Sequence, residues 1–226
     1  MMDFSKVDSV SVPSVSIGMH SADGFQMTME LGCEKYGRPL VVEVPRSDIF
    51  INAVSDDRGL FGAHGLVIPQ GEQCPPLYMH SSKVNTEKDT VTDTVVLHKN
   101  YCALSVGMIA DGKSQPFQIG VKGNVCGYED DGRPMGGDFL VVHSLPAGNL
   151  DVINLPRQKD SSLSLQILDD GQVVREFALG EYMVSSGYDW TAPDLEDVEV
   201  KVDFALAEVA IRINEWETRY VYGVEI

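Results

Sequence analysis

Basic residues are scarce in this chain. Its 226 residues include 17 Lys and Arg against 34 Asp and Glu, a formal net charge of −17. So acidic a surface is repelled by phosphate backbones and anionic lipid headgroups, which sets aside nucleic acid as a partner and electrostatic docking on a membrane. Long apolar runs are missing as well: no window approaches the roughly 18 consecutive apolar residues of a membrane-spanning helix. The first residues, MMDFSKVDSV, lack a basic stretch followed by an apolar one and do not read as a signal peptide. The expectation is a cytoplasmic protein, or one whose export signal lies outside this sequence.

Motifs for chemistry are absent too. The cysteines Cys33, Cys74, Cys102 and Cys126 show no C-x-x-C spacing, so zinc ribbons and dithiol redox centres find no support. Buried free thiols are the simpler expectation, and a Cys102–Cys126 bridge between neighbouring strands is the open alternative. None of the five histidines, His20, His64, His80, His98 and His143, stands two or four residues from another, so there is no local metal pair. The nucleophile elbow G-x-S-x-G and the phosphate loop G-x-x-x-x-G-K-[ST] do not occur. Adjacent carboxylates do occur, at Asp56-Asp57, Asp130-Asp131 and Asp169-Asp170. A glycosidase needs two carboxylates facing across a cleft. Neighbouring acids beside glycine suit turns, where Asp hydrogen-bonds its own backbone. The sequence nominates no catalytic, cofactor-binding or metal-ligating residue, and the expectation is a non-enzyme.

What the chain has in quantity is a period of two. Phe25, Met27, Met29 and Leu31 alternate with polar partners. Residues 40–44, 49–54, 66–68 and 77–79 are short apolar runs closed by Pro, Asp or Ser, which read as strands. Leu104, Val106 and Met108 share one face, then Asp111-Gly112 signals a turn, then Ile119 and Val121 alternate. Together these predict a hairpin of two half-buried strands. Residues 127–138, GYEDDGRPMGGD, read as a loop or linker. A boundary placed there gives an N-terminal domain over 1–127 and a C-terminal domain over 128–226. Further strands follow at 139–142, 152–155 and 163–167, the last turning at Asp169-Asp170-Gly171 into 173–177. The spacing of Leu179, Tyr182 and Met183 predicts one short helix capped by Gly187. The stretch from Val209 to Trp216 fits strand or helix by period; its β-rich surroundings favour a strand in a terminal hairpin with residues 198–204. Many short strands point to an all-β sandwich.

One acidic segment raises a binding question. GYDWTAPDLEDVEVKVDF, residues 187–204, contains Asp189, Asp194, Glu196, Asp197, Glu199 and Asp203. Oxygen ligands suit calcium, but the D-x-[DN]-x-[DN]-G spacing of a calcium loop is absent. Val198, Val200, Val202 and Phe204 alternate with Glu199, Lys201 and Asp203, which predicts a strand with one charged and one apolar face. Tyr188, Trp190 and Trp216 are expected to pack inside, with an exposed sugar platform as the alternative.

The second half of the chain carries a resemblance. NLPRQKDSSLSLQIL (154–168), FALGEYMVSSGYDW (177–190), DLEDVEVKVDF (194–204) and VAIRINEWE (209–217) follow in order, with IPQGEQCPPLYMHSS (68–82), VVLHKNYCALSVGM, FQIGVKGNVCGY and DGRPMGG upstream. The set resembles the fimbrial anchor and minor-subunit family of Bacteroidales pili (FimB-type) over residues 40–217. The resemblance implies two tandem β-sandwich domains of transthyretin-like topology, with the short helix in the C-terminal one. It implies a lipoprotein displayed at the cell outer membrane, as an anchor or accessory subunit that assembles with other fimbrial subunits by β-strand addition, with a host or bacterial surface ligand among its partners. The family's lipid-accepting cysteine has no counterpart here, since Cys33 follows no apolar run. The alternative is a carbohydrate-binding β-sandwich or adhesin using exposed aromatics. Residues 10–19 and 209–216 are the segments expected to offer strand edges.

Overall fold

The computed structural model describes residues 1–56, 65–109, 118–144, 151–203, 208–213 and 216–221. The chain forms two compact units whose segments interleave. Unit 1 comprises Met1–Val67, Pro75–Asn100 and Gly127–Met135; unit 2 comprises Ile68–Cys74, Tyr101–Cys126 and Gly136–Ile226. This differs from the division into 1–127 and 128–226. The chain passes between units five times, and only the passage at 126/127 lies beside the expected boundary.

Unit 1 contains β1 (Met2–Asp3), β2 (Ser14–Ser21), β3 (Gln26–Gly32), β4 (Asp48–Asp56), β5 (Leu66–Val67), β6 (Leu77–Asn85), β7 (Asp93–Thr94) and β8 (His98–Lys99). Its main sheet is antiparallel, in the order β3–β2–β4–β6–β8. Alternation along the strands sorts the faces. Val15, Ile17 and Met19 of β2 and Ile49, Ile51 and Ala53 of β4 are buried with Met2, Phe4, Val12 and Tyr36 in one core. The run at 40–44 reads as a strand by composition but is not one: Leu40 makes a single bridge to Met2, and 41–44 join no sheet. β-branched residues favour extended backbone, yet a strand also needs a partner beside it.

Unit 2 is a two-sheet β-sandwich built from β9 (Tyr101–Ile109), β10 (Gln118–Tyr128), β11 (Pro134–Ser144), β12 (Asp151–Pro156), β13 (Ser164–Asp169), β14 (Gln172–Phe177), β15 (Val198–Asp203), β16 (Glu208–Ile213) and β17 (Trp216–Val221), with helix α1 (Leu179–Ser185) between β14 and β15. One sheet runs β11–β10–β13–β14 and the other β12–β9–β15–β16–β17; the last two residues of β10 and the first two of β11 fall in unit 1. Buried alternate residues, including Leu104 and Val106 of β9, Ile119 and Val121 of β10, Leu165 and Ile167 of β13, and Val198, Val200 and Val202 of β15, form the core. The expected hairpin of β9 with β10 is not made. β9 pairs with β12 and in parallel with β15, while β10 pairs with β13, so the two strands enter different sheets. Asp111-Gly112 lies outside the described residues. The linker expected at 127–138 is instead a tight turn between β10 and β11, closed by Glu129 N–H to the Arg133 carbonyl at 2.8 Å. Asp131 accepts the Arg133 N–H there.

Other local readings hold. Asp170 and Gly171 take positive φ, 48° and 75°, as a two-residue hairpin turn from β13 to β14 requires. Gly187, at φ 92°, ends α1: its N–H reaches the Val184 carbonyl and the Tyr188 N–H reaches that of Met183, the paired bonds of a glycine-terminated helix. The stretch beginning at Val209 is strand, and β16 pairs antiparallel with β15. All four cysteines are free thiols, so no Cys102–Cys126 bridge forms.

Candidate strand-docking groove

Strand addition needs an open edge or an open slot, and the two segments named from sequence provide neither. Residues 14–19 belong to β2, which is paired on both sides by β3 and β4. β16 is likewise interior, between β15 and β17. Alternation reports which face of a strand is buried but is silent on whether its hydrogen-bonding edges are taken. The outermost strands in the orders of the three larger sheets are β3 and β8 in unit 1, and β11, β14, β12 and β17 in unit 2.

A slot does exist in unit 1. β1 is the middle of three adjacent segments. On one side it pairs in parallel with β7, the Asp93 N–H reaching the Met1 carbonyl and the Val95 N–H that of Asp3, both at 2.9 Å. On the other, Met2 and Leu40 exchange N–H and carbonyl bonds, both at 2.8 Å. Residues 41–44 continue past Leu40 but make no backbone hydrogen bond among the described residues. Between them and residues 84–93 lies a groove of about 670 Å³, with Met1 and Met2 at its end, Met19, Ile49 and Ile51 in its floor, and Val42, Val44 and Val84 on its walls. Far from β1, Arg46 reaches across to Asp89 at 2.6 Å; both side chains are exposed, so this clasp is weak. An extended segment laid in the groove would meet unpaired main chain on the 41–44 side and an apolar floor beneath, the two requirements of strand addition.

A half-buried polar contact holds the β7 wall. The Val96 N–H donates to His80 Nδ1 at 3.3 Å, so Nε2 carries the proton and donates to Asp93 Oδ2 at 3.2 Å, where the Ser82 hydroxyl also donates at 2.7 Å. The His80 hydrogen bond, more than that from Ser82, holds the Asp93 carboxyl below its ordinary range against the opposing effect of burial. A carboxylate with a depressed folded-state pKa adds stability that is complete above the unfolded value of about 3.9 and is lost as pH falls through the lower folded value. Asp93→Asn is therefore expected to lower the urea midpoint at neutral pH and to flatten its decline below about pH 4. A parallel acid limb in variant and wild type would remove Asp93 from that decline.

Asp189, Asp197 and Glu199 serve structure. Asp197 Oδ1 accepts the Ala103 N–H at 2.8 Å, Asp189 accepts the N–H and hydroxyl of Thr191, and the Glu196 carbonyl accepts the Tyr188 hydroxyl. Glu199 pairs with Lys201 at 2.8 Å and Arg212 at 3.2 Å, and Glu217 with Arg219 and Arg212, a charge ladder across β15, β16 and β17. Tyr188 and Trp190 are buried in edge-to-face contact, ring centroids 4.6 Å apart. They form no exposed sugar platform. The Trp216 side chain lies outside the described residues.

No protein-family model matches the chain, and no curated protein matches it in sequence. Solved structures do match. A candidate polysaccharide-binding protein from Bacteroides thetaiotaomicron aligns over 92% of this chain and 90% of its own, with TM-score 0.66 and 14% identity. A candidate adhesin from Bacteroides ovatus aligns over 99% and 94%, with TM-score 0.64 and 11% identity. The fimbrial anchor protein Mfa2 from Porphyromonas gingivalis aligns over 91% and 90%, with TM-score 0.60 and 12% identity. The chain has their fold. The resemblance read from residues 40–217 is thus borne out as an all-β architecture shared with a fimbrial anchor. What sequence reasoning missed is the groove, because its walls come from residues about forty positions apart and its defining property is a strand that is not there.

Proposed function

We propose that this protein is a non-enzymatic fimbrial subunit of the anchor or accessory kind, displayed at the cell surface, which accepts an extended segment of another subunit in the groove beside β1. The observation that carries the reading is the slot itself: apolar floor, unpaired main chain at 41–44, and a strand already seated at one end. Main-chain bonds would supply affinity, and alternate side chains entering the floor would supply specificity. Likeness of fold to a fimbrial anchor supports the role. Attachment to the outer membrane through a lipid anchor belongs to the same reading.

Val42→Arg/Val44→Arg tests it. Both side chains line the groove and are only partly buried, so the fold should survive while long charged stems occupy the slot. Co-expression with the fimbrial subunits of the same organism, followed by size separation of assembled complexes, should show assembly reduced by about tenfold or more, since losing about 1.4 kcal/mol already costs that factor. Full assembly by a folded double variant would exclude the groove.

A further inference from the structure

The polar face of the unit 1 sheet contains a second feature, independent of the groove. Gly18 stands in the middle of β2, opposite Thr28 on β3 and Asn52 on β4. Glycine inside a strand weakens it, and marks a bulge, a bend or a place where another group comes close. β2 keeps unbroken register with both neighbours from Ser16 to His20, so no bulge accounts for the glycine. A Cβ at Gly18 would meet nothing within 4 Å. The space above it belongs to a hollow of about 130 Å³ that Asn52, His20, Thr28, Gln26 and Asp130 help to line.

The polar groups there are built in. Asn52 is only 5% exposed. Its Oδ1 accepts the Ser81 hydroxyl, which fixes the amide, and its nitrogen has no partner among the described residues. The His20 ring is stacked on Phe50 with centroids 5.1 Å apart, and its Nε2 stands 3.8 Å from Asp130 Oδ2. The nitrogen is not among the buried unpartnered atoms, so it opens on the hollow, where a ligand oxygen can take the place of water.

The chemistry of the set selects a class of ligand. An amide donor, a carboxylate acceptor, a hydroxyl and an aromatic edge match the alternating hydroxyl and C–H groups of a sugar. Among the described residues no Lys or Arg lines the hollow, so an anionic ligand would face Asp130 and the net charge of −17 uncompensated. One water needs about 10–15 Å³ of such a hollow, so it admits on the order of ten non-hydrogen atoms, one pyranose ring and not a chain. We infer that the hollow above Gly18 binds a single neutral sugar residue through Asn52, Asp130 and His20.

The test is an amide-resolved NMR titration of the full chain with the methyl glycosides of glucose, galactose, mannose and N-acetylglucosamine, and with glucuronate as the anionic comparison. At least one neutral glycoside should shift the amides of Gly18, His20 and Asn52 with a millimolar Kd, and glucuronate should bind about tenfold more weakly or worse. Gly18→Val directs a side chain into the hollow from a position where a Cβ meets nothing within 4 Å, so its Tm should equal or exceed that of wild type while those shifts vanish. Asp130→Asn, on an exposed turn, should weaken binding by about tenfold and serves as the second variant should Gly18→Val not fold. Absence of shifts with every neutral glycoside at tens of millimolar, undiminished binding by a folded variant, or equal binding of glucuronate would each overturn the proposal.

Discussion

Phe4→Ala should destabilise unit 1 by about 3–5 kcal/mol, the range for removing a fully buried Phe. Phe4 is wholly buried and lies on Tyr36, ring centroids 5.8 Å apart and nearly parallel. β1 is only two residues long, too short for its backbone bonds alone to hold it. Met2 and Phe4 fix it by sinking side chains into the core on either side of Asp3. Tyr36 shows how dry this region is: burial, with lesser help from Cys33 and Glu34, pushes its phenol up to about 12. Against a typical domain stability of 5–15 kcal/mol, the variant should lose a large share of its urea resistance. Hydrogen exchange should localise the damage, with the amides of Met2, Leu40, Asp93 and Val95 losing protection first. A loss below about 1 kcal/mol with those amides still protected would mean that Phe4 does not seat the strand.

Val200→Asp should prevent unit 2 from folding, while Glu199→Gln, one residue away, should cost no more than about 1 kcal/mol. Val200 is fully buried on β15, opposite Val106 of β9 and Ile211 of β16. An aspartate there would be an unpaired charge inside the sandwich, a defect worth about 3–5 kcal/mol or more. Glu199 faces outward and pairs with Lys201 and Arg212, partly exposed contacts that water screens. Soluble yield and thermal melting of the two variants would measure the contrast. Similar melting temperatures would contradict the assignment of faces along β15.

That contrast marks what was legible. Period-two patterning placed Val198, Val200 and Val202 inside and predicted the β15–β16 hairpin, because antiparallel neighbours close in sequence share one local signal. Gly187 and Asp170-Gly171 were legible because positive φ constrains residue type. The same patterning failed for β9 and β10: alternation names a face, and the partner is chosen by tertiary contacts, here with β15 some ninety residues on. Residues 40–44 failed for a related reason, since their composition is that of a strand whose neighbour is absent. The hollow above Gly18 was hidden because Thr28, Gly18, Asn52 and Asp130 converge only once three strands are in register.

The five passages of the chain between units have a consequence for the order of synthesis. A nascent chain ending at Asn100 lacks Gly127–Met135 of unit 1, and with it Tyr128, which is fully buried and donates its hydroxyl to the Asn100 carbonyl. Unit 1 therefore waits for residues that emerge only after Tyr101–Cys126 of unit 2. A fragment starting at residue 128 lacks β9, the partner of both β12 and β15. No single cut yields two self-sufficient pieces, so unit 1 must stay open during translation until Tyr101–Cys126 of unit 2 has been made, and unit 2 closes last.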